Sequence, residues 1–310
     1  IYNGEKWWEI DATSPEAQTG GTRGIISGGS TPTVLNVMQY INIETTGNSV
    51  DFGDLTQERN EHKACASRTR GVQGGGYLSP SDRNTIDYET FASTGNAITF
   101  GNLVANCSEL CSFSDSTRGF WAGGKPSGTN TIQYVTISST SDAIDFGDLY
   151  NNAAIGCMGA ASPTRGIIAG GDSPASDVIQ YVTIQTLGNS ADFGNLTDAR
   201  YSGGSSSNAV RSVFGGGWSP SHTDVIDYIT NATLGNALDF GNLSASRYLC
   251  SGCASPTRAV FVAGYQNPNP RVDVIDYIQF ATTGNAVDFG NTLDDTSSSA
   301  ACSNGHGGLG

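Results

Sequence analysis

Hydrophobic and polar residues alternate along this chain in short runs, and the same four kinds of run return in the same order. One is built of small residues, such as Lys63-Ala64-Cys65-Ala66 or Ala160-Ala161-Ser162. The next starts at an arginine and ends in glycines, as in Gly24-Ile25-Ile26-Ser27-Gly28-Gly29 or Ser212-Val213-Phe214-Gly215-Gly216. A third alternates, Val178-Ile179-Gln180-Tyr181-Val182-Thr183-Ile184, and closes on a Thr-Gly-Asn-like turn. The fourth is of the Asp-Phe-Gly-Asn-Leu type, centred on Phe52, Phe100, Phe146, Phe193, Phe240 and Phe289. β-Branched and aromatic residues at period two, bounded by Gly, Asn and Pro, predict four strands per unit and leave no room for a helix.

The tripeptide Thr-Arg-Gly counts the units. Arg23, Arg70, Arg118 and Arg165 sit in full copies, and Arg211 and Arg258 in the degenerate copies Val210-Arg211-Ser212 and Thr257-Arg258-Ala259. Their spacings are 47, 48, 47, 46 and 47 residues. One such sheet cannot bury both faces alone, whereas sheets packed radially cover each other. The prediction is an all-β fold: a six-bladed β-propeller of four-stranded antiparallel blades. The recurrent Tyr40, Tyr88, Tyr134, Tyr181, Tyr228 and Tyr277 are expected, with the phenylalanines, to fill the space between blades.

A strand ending in Gly-Gly, a variable loop, an apolar strand with Tyr and an aromatic about a dozen residues on resembles the Kelch repeat order, with Asp-Phe-Gly standing where Kelch repeats usually carry Trp. The resemblance covers roughly residues 21–303. It implies a propeller. The style of the repeats is also similar to that of structural proteins of phages, notably marine and cyanobacterial ones, which implies a virion component such as a receptor-binding tail fibre.

Small-residue runs precede Arg70, Arg118, Arg165, Arg211 and Arg258, and one more, Ser299-Ala300-Ala301-Cys302, ends the series with no second run after it. Residues 298–303 are therefore expected to return as the innermost strand of the blade begun at Gly24, joining the chain ends and removing an open edge. The propeller is assigned to residues 21–310 and a docking or linker segment to residues 1–20. Residues 2–10 read as a separate hairpin or the remnant of a preceding unit, with Trp7 and Trp8 as candidate partner-docking residues. Residues 15–18 compete for the same inner position.

Strand alternation divides the connections between two faces. The first-to-second and third-to-fourth turns are nearly uniform and read as scaffold. The second-to-third loops differ and carry Tyr77, Arg83, Trp218, His222, Tyr265 and Arg271, the candidate ligand-binding residues. Fourth-to-first connections on the same face add Arg59, Tyr150, Arg200, Tyr201, Arg247 and Tyr248. Variable loops on a rigid scaffold are where binding concentrates, and Tyr, Trp and Arg are favoured anchors. The repeat arginines have two readings: a ring of positive charge near the channel, or a structural set tied to the Asp of the Asp-Phe-Gly run or to carbonyls between blades. Recurrence in every blade favours structure.

Composition narrows the partners. The chain has 310 residues, 41 of them Gly, and a formal charge of −14 from 15 basic and 29 acidic residues. That balance argues against nucleic acid, which needs clustered Lys and Arg, and the apolar runs are too short for membrane insertion. The chain opens at Ile1 without a signal-peptide pattern, as expected of a processed or excised piece. Seven cysteines form an odd set that does not look like a disulfide scaffold.

Enzyme readings find little support. A copper site of the galactose oxidase type needs converging imidazoles, and His62, His222 and His306 are scattered over different repeats. Cys250-Ser251-Gly252-Cys253 has half-site spacing without a second pair, and reads as small apolar filler near the channel. A sialidase-like hydrolase would need Asp-box runs and paired carboxylates, and neither stands out. Calcium is the one cofactor to weigh, since Asp and Asn crowd the turns, but no Asp-x-Asp-x-Asp-Gly loop occurs. The expectation is a non-enzymatic recognition module on a virion or extracellular surface, without a cofactor. It would bind a cell-surface glycan or a neighbouring structural protein, as an oligomer if it is part of an assembly. The alternatives are a purely structural subunit docking through its N-terminal segment, and a glycan-active enzyme.

Overall fold

Six four-stranded antiparallel sheets stand around a central channel, so the chain is a six-bladed β-propeller. The structure is a computed structural model and describes residues 21–126, 129–151, 154–268 and 270–309. From the channel outward, blade II runs Lys63–Ala66, Arg70–Gly74, Thr85–Thr90 and Ile98–Asn102. Blades III to V repeat that order with inner strands Cys111–Ser114, Met158–Ala161 and Gly204–Ser207. Blade VI closes the series with Ser251–Ala254, Arg258–Gly264, Val272–Gln279 and Val287–Thr296. Blade I takes Arg23–Ser27, Val37–Asn42 and Val50–Asp54 from the start of the chain and Ala300–Ser303 from its end. The closing strand pairs Gly24 with Ser303 and Ser27 with Ala300, the innermost position that the leftover small-residue run implied. Residues 1–20, with Trp7, Trp8 and the expected hairpin, lie outside the described residues.

Each recurring residue joins one blade to the next. The repeat arginine lies over the Tyr ring of its own third strand at 4.8–5.0 Å in all six blades. Its Nη1 donates to a carbonyl just past the third strand of the following blade. Arg70 reaches Ile137 and Ser138, Arg118 reaches Ile184, Arg165 reaches Asn231 and Arg258 reaches Ile43, at 2.8–3.1 Å. Arg23 and Arg211 do the same to Phe91 and Phe280. A stacked, carbonyl-bound guanidinium ties blades in the fixed fork geometry that Lys lacks. The partner is the carbonyl, while Asp51, Asp145, Asp192, Asp239 and Asp288 of the Asp-Phe-Gly-type runs stay exposed.

The Thr-Gly-Asn turn and the Asp-Phe-Gly run form the outer seam. Gly95, Gly188, Gly235, Gly284 and Gly47 donate their N–H to the carbonyls of Phe52, Phe146, Phe193, Phe240 and Phe289 in the preceding blade, at 2.7–3.0 Å. Gly53 has φ +146°, and a Cβ there would overlap the Gly95 carbonyl, so the glycine is required twice over.

Inside, the glycine of Thr-Arg-Gly is a hole for the third residue of the previous inner strand. Cys253 and Cys65 put their Sγ where a Cβ on Gly24 or Gly119 would sit, the Glu89 carboxyl takes that place at Gly71 with Cys302 Sγ beside it, and the Phe113 ring fills it at Gly166. Where the tripeptide degenerates to Ser212 and Ala259, the preceding knobs shrink to Ala160 and Ser206. Hole and knob volume thus vary together, as close packing demands.

The inner ring is also paired. Ser114 Oγ donates to the Ala66 carbonyl at 2.8 Å, and Ser207 Oγ accepts from Ala161 N at 3.2 Å. Ser303 Oγ likewise accepts from Ala254 N at 3.2 Å. Serine and alanine alternate from blade to blade, so the ring is built of three two-blade units.

Two features departed from the simple repeat. A short hairpin, Tyr77–Leu78 with Ser81–Asp82, stands on the second-to-third loop of blade II. The tail after the closing strand turns across the channel in a single 3-10 turn, Gly307–Leu309. His306 Nε2 donates to the Ala66 carbonyl at 2.7 Å and Arg68 donates to the Leu309 carbonyl at 3.1 Å, so the face with the uniform turns is plugged by the chain's own end.

Candidate functional site

The opposite, unplugged face is held by one closed circuit of backbone and a set of six bridges. Glu61, Glu109, Gly156, Ser202, Leu249 and Ser298 each leave the preceding blade with φ between +50° and +64°. Each donates its N–H to the carbonyl of the one before it, Glu61 to Ser298, Glu109 to Glu61 and so on round the ring, at 2.6–2.9 Å. Five of the six are not glycine, at a cost of about 1 kcal/mol each for the left-handed conformation; the hydrogen bonds offset it. One residue earlier a bridge joins each linker to the end of a second strand: Ser297 with Ser30, Asn60 with Tyr77, Ser108 with Lys125, Ile155 with Asp172, Tyr201 with Trp218, Tyr248 with Tyr265.

These twelve positions share one backbone geometry and carry quite different side chains. Nothing in the fold demands an aromatic there, since Ser30 and Ser297 occupy the same bridge. Yet blades V and VI place Tyr201, Trp218, Tyr248 and Tyr265 side by side. Trp218 lies 5.3 Å from Tyr248, and Tyr248 5.4 Å from Tyr265. His222, brought over by a tight loop that bridges back to Trp218, stacks on Tyr248 at 4.9 Å and meets Trp218 at 4.7 Å and Tyr265 at 6.0 Å. All five are partly exposed. Among the described residues, their indole, imidazole and hydroxyl groups have no hydrogen-bond partner. Partial burial lowers the His222 pKa and so keeps the ring neutral at neutral pH. The Tyr248 hydroxyl is pushed up by burial, with Tyr265 and Glu109 adding to it. The arrangement offers aromatic faces edged with free donors and acceptors, suited to a ligand that is apolar on one side and polar on the other.

Trp218, His222 and Tyr265 are thus brought together from the second-to-third loops, with Tyr248 from a fourth-to-first connection. Tyr77 and Arg83 stand apart on the blade II hairpin, where Arg83 donates to Ser81 Oγ at 3.2 Å. Arg271 donates to Ser30 Oγ at 3.3 Å across the closing seam. Tyr150 is exposed on the blade III–IV connection.

Three expected rim arginines are corrected. Arg59, Arg200 and Arg247 are 0–1% exposed and ion-pair with Asp87, Asp227 and Asp276 at 2.7–3.0 Å. The carboxylates also accept from Thr56, Thr197 and Ser244, which pins each linker to the blade it enters. Blades I, III and IV carry Gln39, Gln133 and Gln180 at the same place, accepting from the backbone N–H of Leu293, Val104 and Tyr150, and their linkers have no arginine. Aspartate appears only where a cation follows it into the core. The signal was legible as Leu-Thr/Ser-x-x-Arg preceding each aspartate-bearing blade.

Across the mouth the rim is charged. Lys125 pairs with Glu109, and burial, with Glu109 adding to it, pushes the Glu61 carboxyl up to about 7. The channel below is lined from Lys63 to His306 by inner-strand Ala, Ser, Gly and Cys, with a cavity volume of about 80 Å³. All seven cysteines are buried and free, and six of them line it. Burial pushes Cys107 and Cys253 up to about 12, so they remain thiols. The three histidines do not converge: His62 is buried against Ser27 and His306 is in the plug. Among the described residues no group of His, Cys, Asp or Glu is placed to hold a metal ion, and no helix is long and apolar enough to cross a membrane. No protein-family model matches the sequence, and no curated protein shows significant similarity to it.

Proposed function

We propose that this propeller is a non-enzymatic recognition module that binds a cell-surface glycan through the aromatic cluster of blades V and VI. One observation carries the reading. At rim positions where the backbone is the same in every blade, two adjacent blades have gathered Trp218, Tyr248 and Tyr265 around His222, with their polar tips unsatisfied. A sugar ring presents C–H groups on its faces and hydroxyls at its edge, the complement of such a surface. The neutral Ser, Thr and Asn of the surrounding loops suit a polar ligand better than an ionic one. The setting, an extracellular or virion surface, is taken from the Kelch-like repeat order and its likeness in style to phage structural proteins.

The test is a glycan array probed with the wild-type chain and with Trp218→Ala and Tyr265→Ala. Loss of an anchoring aromatic is worth about 2 kcal/mol, or roughly thirtyfold in affinity. Binding that survives both substitutions undiminished, or an array with no glycan bound at all, would overturn the proposal.

A further inference from the structure

Five of the six seams between blades are apolar where the sixth is not. The place of Glu89 is taken elsewhere by Ile41, Val135, Val182, Ile229 and Ile278, and that of Gln73 by Ile26, Trp121, Ile168, Phe214 and Phe261. Blade II therefore presses a carboxyl and an amide against blade I, the blade assembled from both ends of the chain. The cluster is inside: Ser27, His62, Gln73 and Glu89 are 0–3% exposed. Ser27 Oγ donates to Gln73 Oε1 at 2.8 Å, and Gln73 Nε2 donates to Glu89 Oε1 at 2.9 Å. With the Ser27 proton so committed, His62 Nε2–H donates to Ser27 Oγ at 3.0 Å. Gln73 Nε2 also lies 3.8 Å from Cys302 Sγ, which sits 4.0 Å from Glu89 Oε1.

The position of these partners matters more than their number. Ser27 belongs to the strand that begins the chain's first sheet, and Cys302 to the strand that closes it, two residue pairs apart in register. Gln73 touches both, and Glu89, held by Gln73, touches Cys302. We propose that this cluster is a latch on ring closure, in which blade II grips the two chain ends together and the proton on Glu89 keeps the grip shut.

Loss of that proton leaves a buried carboxylate whose donors, the Gln73 amide and at 4.0 Å the weak Cys302 thiol, both reach Oε1, with Oε2 unpartnered. Arg59, the nearest cation, is committed to Asp87. The groups facing Glu89 are Gln73 and Asp87 on its own sheet, Arg59 on the linker, and the Cys65 and Cys302 thiols on the two inner strands. Burial raises the Glu89 pKa to about 7; Gln73 and Arg59 oppose the rise and Asp87 adds to it. Below pH 4.5 the carboxyl is protonated whether the latch is shut or open. Between 4.5 and about 7 opening releases the proton, so rising pH favours opening, and above 7 the full cost stands.

The experiment is hydrogen exchange of residues 300–303 from pH 5 to 8, corrected for the intrinsic rate and referred to the inner strand Met158–Ala161, in wild type and Glu89→Gln. Over that range the opening constant of the closing strand should rise with pH by up to about 70-fold in wild type and stay flat in Glu89→Gln. His62 is present in both proteins, so its own titration cancels. Glu89→Ile, the residue at this place in blade I, supplies a second neutral reference if the glutamine variant fails to fold. An equal slope in the neutral variants, or a rise shared by all six inner strands, would overturn the latch.

Discussion

Replacing Asp227 by Gln should unfold this protein far more readily than its chemistry suggests, and a second substitution should undo most of the damage. Arg200 is 1% exposed, and its guanidinium has two partners: Asp227 Oδ2 at 3.0 Å and the Phe214 carbonyl at 3.1 Å. Its Nε and Nη1 have none. Asp227→Gln keeps an acceptor for Thr197 N–H, as Gln133 does for Val104, but leaves the cation buried without a counter-charge. Removing one partner of a buried pair costs about 3–5 kcal/mol. The double variant Arg200→Ala/Asp227→Gln copies what blade IV already contains, Ala154 before Gln180. It should lie within about 2 kcal/mol of wild type, the residue of a partly collapsed cavity. A double-mutant cycle by urea unfolding at pH 7 should therefore give a coupling energy of at least about 2 kcal/mol. Additive single and double effects, or an Asp227→Gln cost under about 1 kcal/mol, would refute the idea that aspartate and arginine enter the core together.

Further outcomes follow from the same geometry. Gly166→Ala should cost about 1–3 kcal/mol by thermal melting, because its Cβ would overlap the Phe113 ring, and Phe113→Ala in the same chain should recover part of the loss at Gly166. His306 accepts from Gly308 N–H at Nδ1 and donates from Nε2 to Ala66, and burial lowers its pKa from 6.5 to about 4. The folded state holds it neutral, so its contribution is full above pH 6.5 and lost as pH falls toward 4, up to about 3 kcal/mol. His306→Asn should abolish that part of the acid slope; an unchanged slope between pH 6.5 and 4 would contradict the assignment.

Much of the blade was legible because its residues recur. Arg23 and its five equivalents, the Tyr and Phe partners, and the leftover run at residues 299–302 each fixed a feature by repetition. The candidate site was legible in part. Trp218, His222 and Tyr265 stood out as anchor types in unlike loops, but which loops converge depends on the ring, and Tyr77, Arg83 and Arg271 went elsewhere. The rim arginines misled for a physical reason: an arginine in a loop reads as exposed unless its carboxylate, some thirty residues on, is seen to meet it. The plug at residues 304–309 had no signal, since Gly-rich tails have no pattern of their own.

Sequence alone determined the strand pattern, the number of blades and the order in which they close. Those follow from local periodicity, turn chemistry and the need of each sheet for a cover, all written at short range. Only the tertiary structure decided which end of the channel is shut, which arginines are buried, and that Ser27, Cys302, Gln73 and Glu89 meet at one seam. Contacts between residues separated by most of the chain depend on the radius and stagger of the closed ring, and no local pattern encodes those.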